Sequence, residues 1–395
     1  MNHPFEMLKI LYPLFLLEVV IGGGGRMAGF APVSVRGIVA ALCLTVTGLH
    51  FIGRGLRIPV TTLALVIAFS WMLCAGAIVG FLNGNDAAQI TADVGQLSYF
   101  FILPFVLHYF QTESRARIVT ERFLVYPALV LSVAYFFALY LIFGLGRFEQ
   151  MYELLSIGDD FFFREDQTFF YKSFLYLGIA CFFLVENRTP GRLVALLLVL
   201  VAIYLTHTRG LYLSVILVAA LVYTDFKQKL SLFLVLLAVS LILSAGEILQ
   251  LAAKPDSDVV RLLDLQYIYQ HTDLKSLLLG HGFGASINDR GRIEITWAEI
   301  FFKQGLVGLG VWLYWLCQVI NMYYAFDDEK RKLLRPYFST TLFVMVISFT
   351  NPFMNNSIGL VALLVSYIAI QQAAMGDDAI SIQAKPAGKG DISEC

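Results

Sequence analysis

Charge is what this chain has least of. Only 14% of its 395 residues are Asp, Glu, Lys or Arg, against roughly 25% in soluble domains, and the mean hydropathy is +0.73. That excludes a surface that is wet on all sides. The net charge of -1 gives no global field for nucleic acid, and no nucleic-acid partner is expected. Cysteine is scarce and unpatterned: Cys43, Cys74, Cys181 and Cys317 lie in apolar runs and Cys395 ends the chain. This excludes a disulfide framework and a cysteine metal site. His207, His271 and His281 lack metal-ligand spacing. No Gly-x-Ser-x-Gly elbow, His-Glu-x-x-His helix or Lys-Ser/Thr phosphate loop occurs. No metal and no nucleotide cofactor is therefore expected. No repeat of 20–50 residues is present.

Long apolar runs are what the chain has instead. A bilayer core about 30 Å thick takes about 20 apolar residues in a helix, and unpaired backbone is too costly there for anything irregular. The runs predict an all-α, polytopic membrane protein with about 12 spans, near 8–22, 33–52, 58–81, 97–110, 121–144, 168–186, 193–206, 210–224, 230–249, 296–324, 336–350 and 357–374. Residues 1–374 form one membrane domain in this reading, and 375–395 a disordered tail. The first run lacks a basic leader and a cleavage site, so it is read as a retained helix. Lys and Arg crowd alternate loops, whereas 82–96 and 351–356 have none. The positive-inside rule then places both termini in the cytoplasm and the long loops 145–167 and 250–295 outside.

Those outer segments hold most of the candidates for chemistry. Arg209 sits in Thr206-His207-Thr208-Arg209-Gly210 between two apolar runs. It is 17 residues from Arg192, roughly 25 Å of helix, which puts it at or just below the outer boundary. An arginine there is costly unless paired or facing water; a snorkelling helix-end arginine is the bland alternative. Asp258-Val-Val-Arg261-Leu-Leu-Asp264 opens an amphipathic helix with Val260, Leu263, Tyr267 and Ile268 at helical spacing. Arg261 either projects functionally or pairs with Asp258 or Asp264. Leu279-Gly280-His281-Gly282-Phe283-Gly284 is a tight turn, plain or set near a diphosphate. Arg290, Arg292 and Glu294 precede a helix in which Glu299 and Lys303 stand i, i+4 and can pair. In loop 145–167, ten residues separate Arg147 from Gly158, and Arg164 sits among Phe161–Phe163, Asp159, Asp160, Glu165 and Asp166. Aromatics beside acids and arginines suit sugar stacking; a solvated charge run is the alternative.

Taken in order, four of these features resemble the O-antigen polymerase and O-antigen ligase superfamily. They are an arginine at the outer turn of a short helix pair (Arg209), an arginine opening a loop helix (Arg261 in VVRLLDLQYIY), a Leu-Gly-x-Gly-x-Gly turn (Leu279 to Gly284), and an amphipathic entry to a Gly-rich helix (IEITWAEIFFKQGLVGLG). The likeness covers about 190–325; before that it is one of topology. It implies a GT-C-like membrane architecture with short helices in the large outer loop. It further implies a periplasmic-face glycosyltransferase of the bacterial inner membrane that uses undecaprenyl-diphosphate-linked oligosaccharides, with membrane lipid and a chain-length regulator protein as partners.

Ligases carry a His-Asn pair 11 residues before the first glycine of that helix. Here the position is Glu294-Ile295, which looks like the polymerase branch. The site expected from this resemblance has Arg209, Arg261 and Glu294 as catalytic residues. Arg290, Arg292, His281, Gly280, Gly282, Arg147 and Arg164 are expected to bind substrate. Glu294 would take the acceptor proton, orient the acceptor, or pair with an arginine. A ligase is the rival within the class. A secondary transporter is the rival outside it, but its substrate would sit near the midplane between repeated halves. Glu18, within the first run, has no functional reading.

Overall fold

The computed structural model describes residues 3–24, 34–54, 58–156, 160–163, 168–186, 189–224, 256–288 and 290–383. Helices dominate: α1 (His3–Ile21), α2 (Val35–Arg54), α3 (Val60–Leu82), α4 (Ala87–Leu97), α5 (Leu103–Thr112), α6 (Ala116–Leu139), α7 (Phe148–Ser156), α8 (Leu175–Glu186), α9 (Pro190–Leu205), α10 (Arg209–Tyr223), α11 (Asp256–His271), α12 (Leu274–Leu279), α13 (Thr296–Tyr324), α14 (Asp328–Ile347) and α15 (Ser357–Gln383). Five stretches among the described residues are long and apolar enough to cross a membrane: Val60–Leu82, Ala87–Thr112, Ala116–Gly144, Thr296–Tyr324 and Ser357–Met375. Shorter apolar helices run over Val35–Leu49, Pro190–Leu205 and Arg209–Tyr223.

Packing is organised around α15. Leu360, Leu363, Leu364, Tyr367 and Ile368 are fully buried, and the helix packs on α5 and α14. The outer helices instead turn large apolar side chains outward, with Val60 82%, Phe81 76% and Val194 69% exposed. A soluble monomer does not carry that much bare apolar surface; hydrocarbon would cover it.

The segments expected on one side of the membrane gather at one end of the bundle. Gly24 N–H donates to Asp160 Oδ2 at 2.8 Å. Arg36 bonds Ser357 Oγ at 2.7 Å, and Asn85 bonds the His281 carbonyl at 3.0 Å. At the far end α6, α9 and α14 meet: the Tyr337 hydroxyl donates to the Arg117 carbonyl at 3.1 Å and Arg192 pairs with Glu121 at 2.7 Å. Glu18 finds its role here. It pairs at 2.8 Å with Arg36, which has no exposed surface, and so ties α1 to α2.

Several expectations need correction. The fold is mostly helical, as expected, with one small addition: Phe161–Phe163 (β1) and Phe169–Tyr171 (β2) form an antiparallel hairpin, Phe161 opposite Tyr171. Aromatics favour strands, and the Phe161 and Tyr171 rings stack with centroids 4.4 Å apart. The run at 168–186 therefore yields a helix of only 12 residues. The run at 97–110 starts ten residues early, because Asp86 caps α4 by accepting from Ala88 N–H. The helix read at 336–350 starts at Asp328, capped by Asp327. The last helix continues to Gln383, into the segment expected to be disordered. The run at 230–249 lies outside the described residues.

Candidate active site

The α11 helix turns a polar face inward. Asp264 is buried while Leu262 and Leu263 are 66% and 53% exposed, so Leu263 does not take the core position its spacing suggested. Two ion pairs lace this face to the segment before α13. Arg261 Nε meets Glu294 Oε2 at 2.7 Å, and Arg290 pairs with Asp264. Glu294 is thus a partner for Arg261 from outside its own helix.

A second contact fixes where Arg261 lies. Its Nη2 donates to the Thr350 carbonyl at 3.3 Å, in the turn between α14 and α15. The α10 N-terminus abuts the same turn: a Cβ on Gly210 would overlap the Thr350 side chain and touch Asn351 Nδ2. Thr296 also holds this turn, its hydroxyl donating to the Asn351 carbonyl at 3.0 Å. Arg261, Glu294 and the Arg209–Gly210 step thus converge on Thr350–Asn351. Arg209 and His207 head a groove of about 200 Å³ between α9 and α10, lined below by Leu200, Ile203, Val215 and Ile216.

Behind this site lies a buried charge cluster. Lys303 Nζ lies 3.0 and 2.9 Å from the Asp93 carboxylate oxygens, 2.8 Å from Glu299 Oε1 and 2.7 Å from the Gly291 carbonyl. Asn355 Nδ2 donates to Glu299 Oε2 at 2.6 Å. One ammonium therefore grips α4, α13 and the Arg290–Arg292 segment, and through Glu299 the turn that receives Arg261. The i, i+4 pair of Glu299 and Lys303 is present as expected, whereas its partners Asp93 and Asn355 stand in no sequence motif. Their signals were a lone acid in an apolar stretch and a short loop dense in asparagine.

The glycine turn serves packing. The Gly280 N–H donates to the Ser276 carbonyl, His281 to Phe302, Gly282 to Lys303 and Phe283 to Gly76, all at 2.8–2.9 Å; Gly284 donates to Asp93 Oδ2 at 2.9 Å. These amides are spent within the protein and leave none for a diphosphate at Gly280 or Gly282. Gly282 has φ +82°, and a Cβ there would overlap the Gly80 backbone of α3. Gly282→Ala is expected to lower the melting temperature of the detergent-solubilised protein. Overpacking against backbone costs roughly 1–3 kcal/mol, on top of the strain at positive φ. An unchanged melting temperature would contradict this packing role.

Arg292 is half-buried one residue beyond Gly291. His281 lines a polar cleft between the α3–α4 turn and α11–α12. Arg147 is exposed just before α7. At the open end of the hairpin Asp160 is buried and pairs with Lys172 at 3.0 Å, so it joins the two strands' outer ends rather than facing solvent. Arg164 lies outside the described residues.

No family model matches the chain. It is 32% identical over 366 residues to a Shigella flexneri protein described as an O-antigen polymerase; the match spans 89% of this chain and 92% of that protein.

Proposed function

The chain belongs to the O-antigen polymerase family, and from that premise we propose that it joins undecaprenyl-diphosphate-linked oligosaccharide repeats into polymer on the periplasmic face of the bacterial inner membrane. The observation that carries this reading is the convergence of Arg261, Glu294 and Arg209–Gly210 on one turn. In this reading residues 1–374 form a single membrane domain of about twelve spans and GT-C-like architecture. Both termini are cytoplasmic, and a chain-length regulator is a partner.

The reaction breaks the bond between the donor's anomeric carbon and a diphosphate oxygen. An acceptor hydroxyl supplies the new oxygen and loses its proton to water, and the lipid diphosphate leaves carrying negative charge. Guanidinium suits that leaving group, because its planar fork can grip two phosphate oxygens. Arg209 sits at a helix N-terminus, where the dipole adds to its attraction for anions. The apolar groove beneath Arg209 suits the first units of a polyprenyl chain. Arg261, Arg209, Arg290 and Arg292 bind and stabilise the diphosphate, and need neither metal nor nucleotide. Glu294, held by Arg261 at 2.7 Å, orients the acceptor hydroxyl.

Deletion of the gene in its host tests the reading. Single repeats on an otherwise normal lipid core are expected, with the long ladder restored by the wild-type gene but not by Arg209→Ala at equal protein level. Loss of every repeat would mean a ligase, and an unaltered ladder would exclude both.

A further inference from the structure

The Arg261 cluster suits a charged group, but a repeat unit is mostly sugar. A second hollow begins where that cluster ends. Two adjoining spaces of about 520 and 400 Å³ lie between the α3–α4 turn, the C-terminal end of α11 and the start of α12, and share Asn85, His271 and His281. Their walls differ in kind from the arginine end: Asn83, Asn85, Gln89 and Gln270 are neutral amides that both donate and accept. Lys275 is the cation in the wall, and Asp273 stands in the same wall as a counter-charge. A free anion finds little there.

This cleft is built rather than incidental. The Asn83 and Asn85 amides both donate to the His281 carbonyl at 3.0 Å, and Asn85 also to the Phe283 carbonyl at 2.8 Å. Tyr267 and His271 stack with centroids 3.9 Å apart, giving a flat wall beside the amides. Gln89 Oε1 and His281 Nε2 have no hydrogen-bond partner among the described residues. Burial holds the His281 imidazole below its ordinary value, which keeps the ring neutral at pH 7, with one donor and one acceptor.

The cleft is also connected to the site. Gln89 packs against Gly291, between Arg290 and Arg292. Arg261 and His271 are ten residues apart on α11, about 15 Å at 1.5 Å per residue. A flat wall with neutral donors and acceptors matches hydroxyl-rich rings, and the span from Arg261 matches a short oligosaccharide. We propose that this cleft binds the glycan of the lipid-linked substrate, laid along α11 with its diphosphate end at Arg261; the orientation rests on the polymerase reading above.

The probe is the host's own repeat-unit oligosaccharide, released from its lipid carrier by mild acid and so lacking diphosphate. Its binding to the full chain in nanodiscs is measured by calorimetry and saturation-transfer NMR. Wild type and Arg261→Ala are expected to bind it alike. The double variant Gln270→Ala/His271→Ala, at exposed positions, is expected to bind roughly tenfold more weakly with an unchanged melting temperature. Lys275→Ala, which opens the rim, serves as the second cleft variant and is expected to weaken binding as well. No binding by wild type, or wild-type binding by both cleft variants, would overturn the proposal. Should the cleft variants lose the oligosaccharide while Arg261→Ala still makes polymer, the cleft stands and the arginine assignment fails.

Discussion

Arg261→Ala is expected to abolish long-chain polymer while the protein still accumulates in the membrane. Two magnitudes separate these outcomes. The Arg261–Glu294 pair is partly open to solvent, with side chains 28% and 43% exposed, and such pairs add at most about 1 kcal/mol to stability. A preorganised donor to charge that develops in the transition state contributes roughly 10²–10³ in rate. Fold should therefore survive and turnover should not. Arg261→Lys should recover only part of the rate. Arg261 bonds Glu294 through Nε and Thr350 through Nη2, and a single ammonium on a flexible stem cannot reproduce that fork. Glu294→Gln tests the other half of the pair: an orienting carboxylate predicts partial loss, a general base near-complete loss. Immunoblots of membranes and electrophoresis of the surface glycan give both readouts. Wild-type ladders from Arg261→Ala would remove the site assignment.

Lys303→Met is expected to fail at an earlier stage, in folding. It leaves Asp93 and Glu299 facing each other with the cation gone, at positions where Glu299 is 1% and Asp93 9% exposed. Removing one partner of a buried ion pair costs roughly 3–5 kcal/mol, a large share of the roughly 5–15 kcal/mol that holds a domain folded. The membrane level and the melting temperature should both fall sharply. The triple variant Asp93→Leu/Glu299→Gln/Lys303→Leu removes the stranded charges and should recover much of the level, since apolar replacements of buried pairs are often neutral. It should not recover full activity, because the Gly291 carbonyl loses its anchor and with it the segment that carries Arg290 and Glu294. A Lys303→Met protein with wild-type melting would show that the cluster is not what holds these elements together.

The helices legible from sequence are those built mostly of apolar residues. Val35–Arg54, Val60–Leu82, Pro190–Leu205, Arg209–Tyr223 and Thr296–Tyr324 lie within three residues of their expected bounds, because an apolar run with no water to bond its backbone has few alternatives to a helix. Sequence and structure part where polar residues resemble boundaries. Asp93 looked like loop because its charge has no partner nearby in sequence; Lys303 supplies one from 210 residues away. The 168–186 run looked helical throughout, yet its first residues pair with Phe161–Phe163 across the hairpin.

Sequence alone also set the order of the candidate residues: Arg209, Arg261, the glycine turn and Glu294. The tertiary structure alone decided their partners. Arg261 could reach Asp258 or Asp264 by helical spacing; the packing of α11 against α13 also brings it Glu294 and Thr350, from outside its own helix. The glycine turn could as well have faced a phosphate, until its amides were taken by Ser276, Phe302, Lys303, Gly76 and Asp93. The physical reason is common to both cases. Apolar run length and local spacing act within a few turns of chain, whereas an ion pair or a donated N–H is settled by whichever group the packed helices bring within about 3 Å.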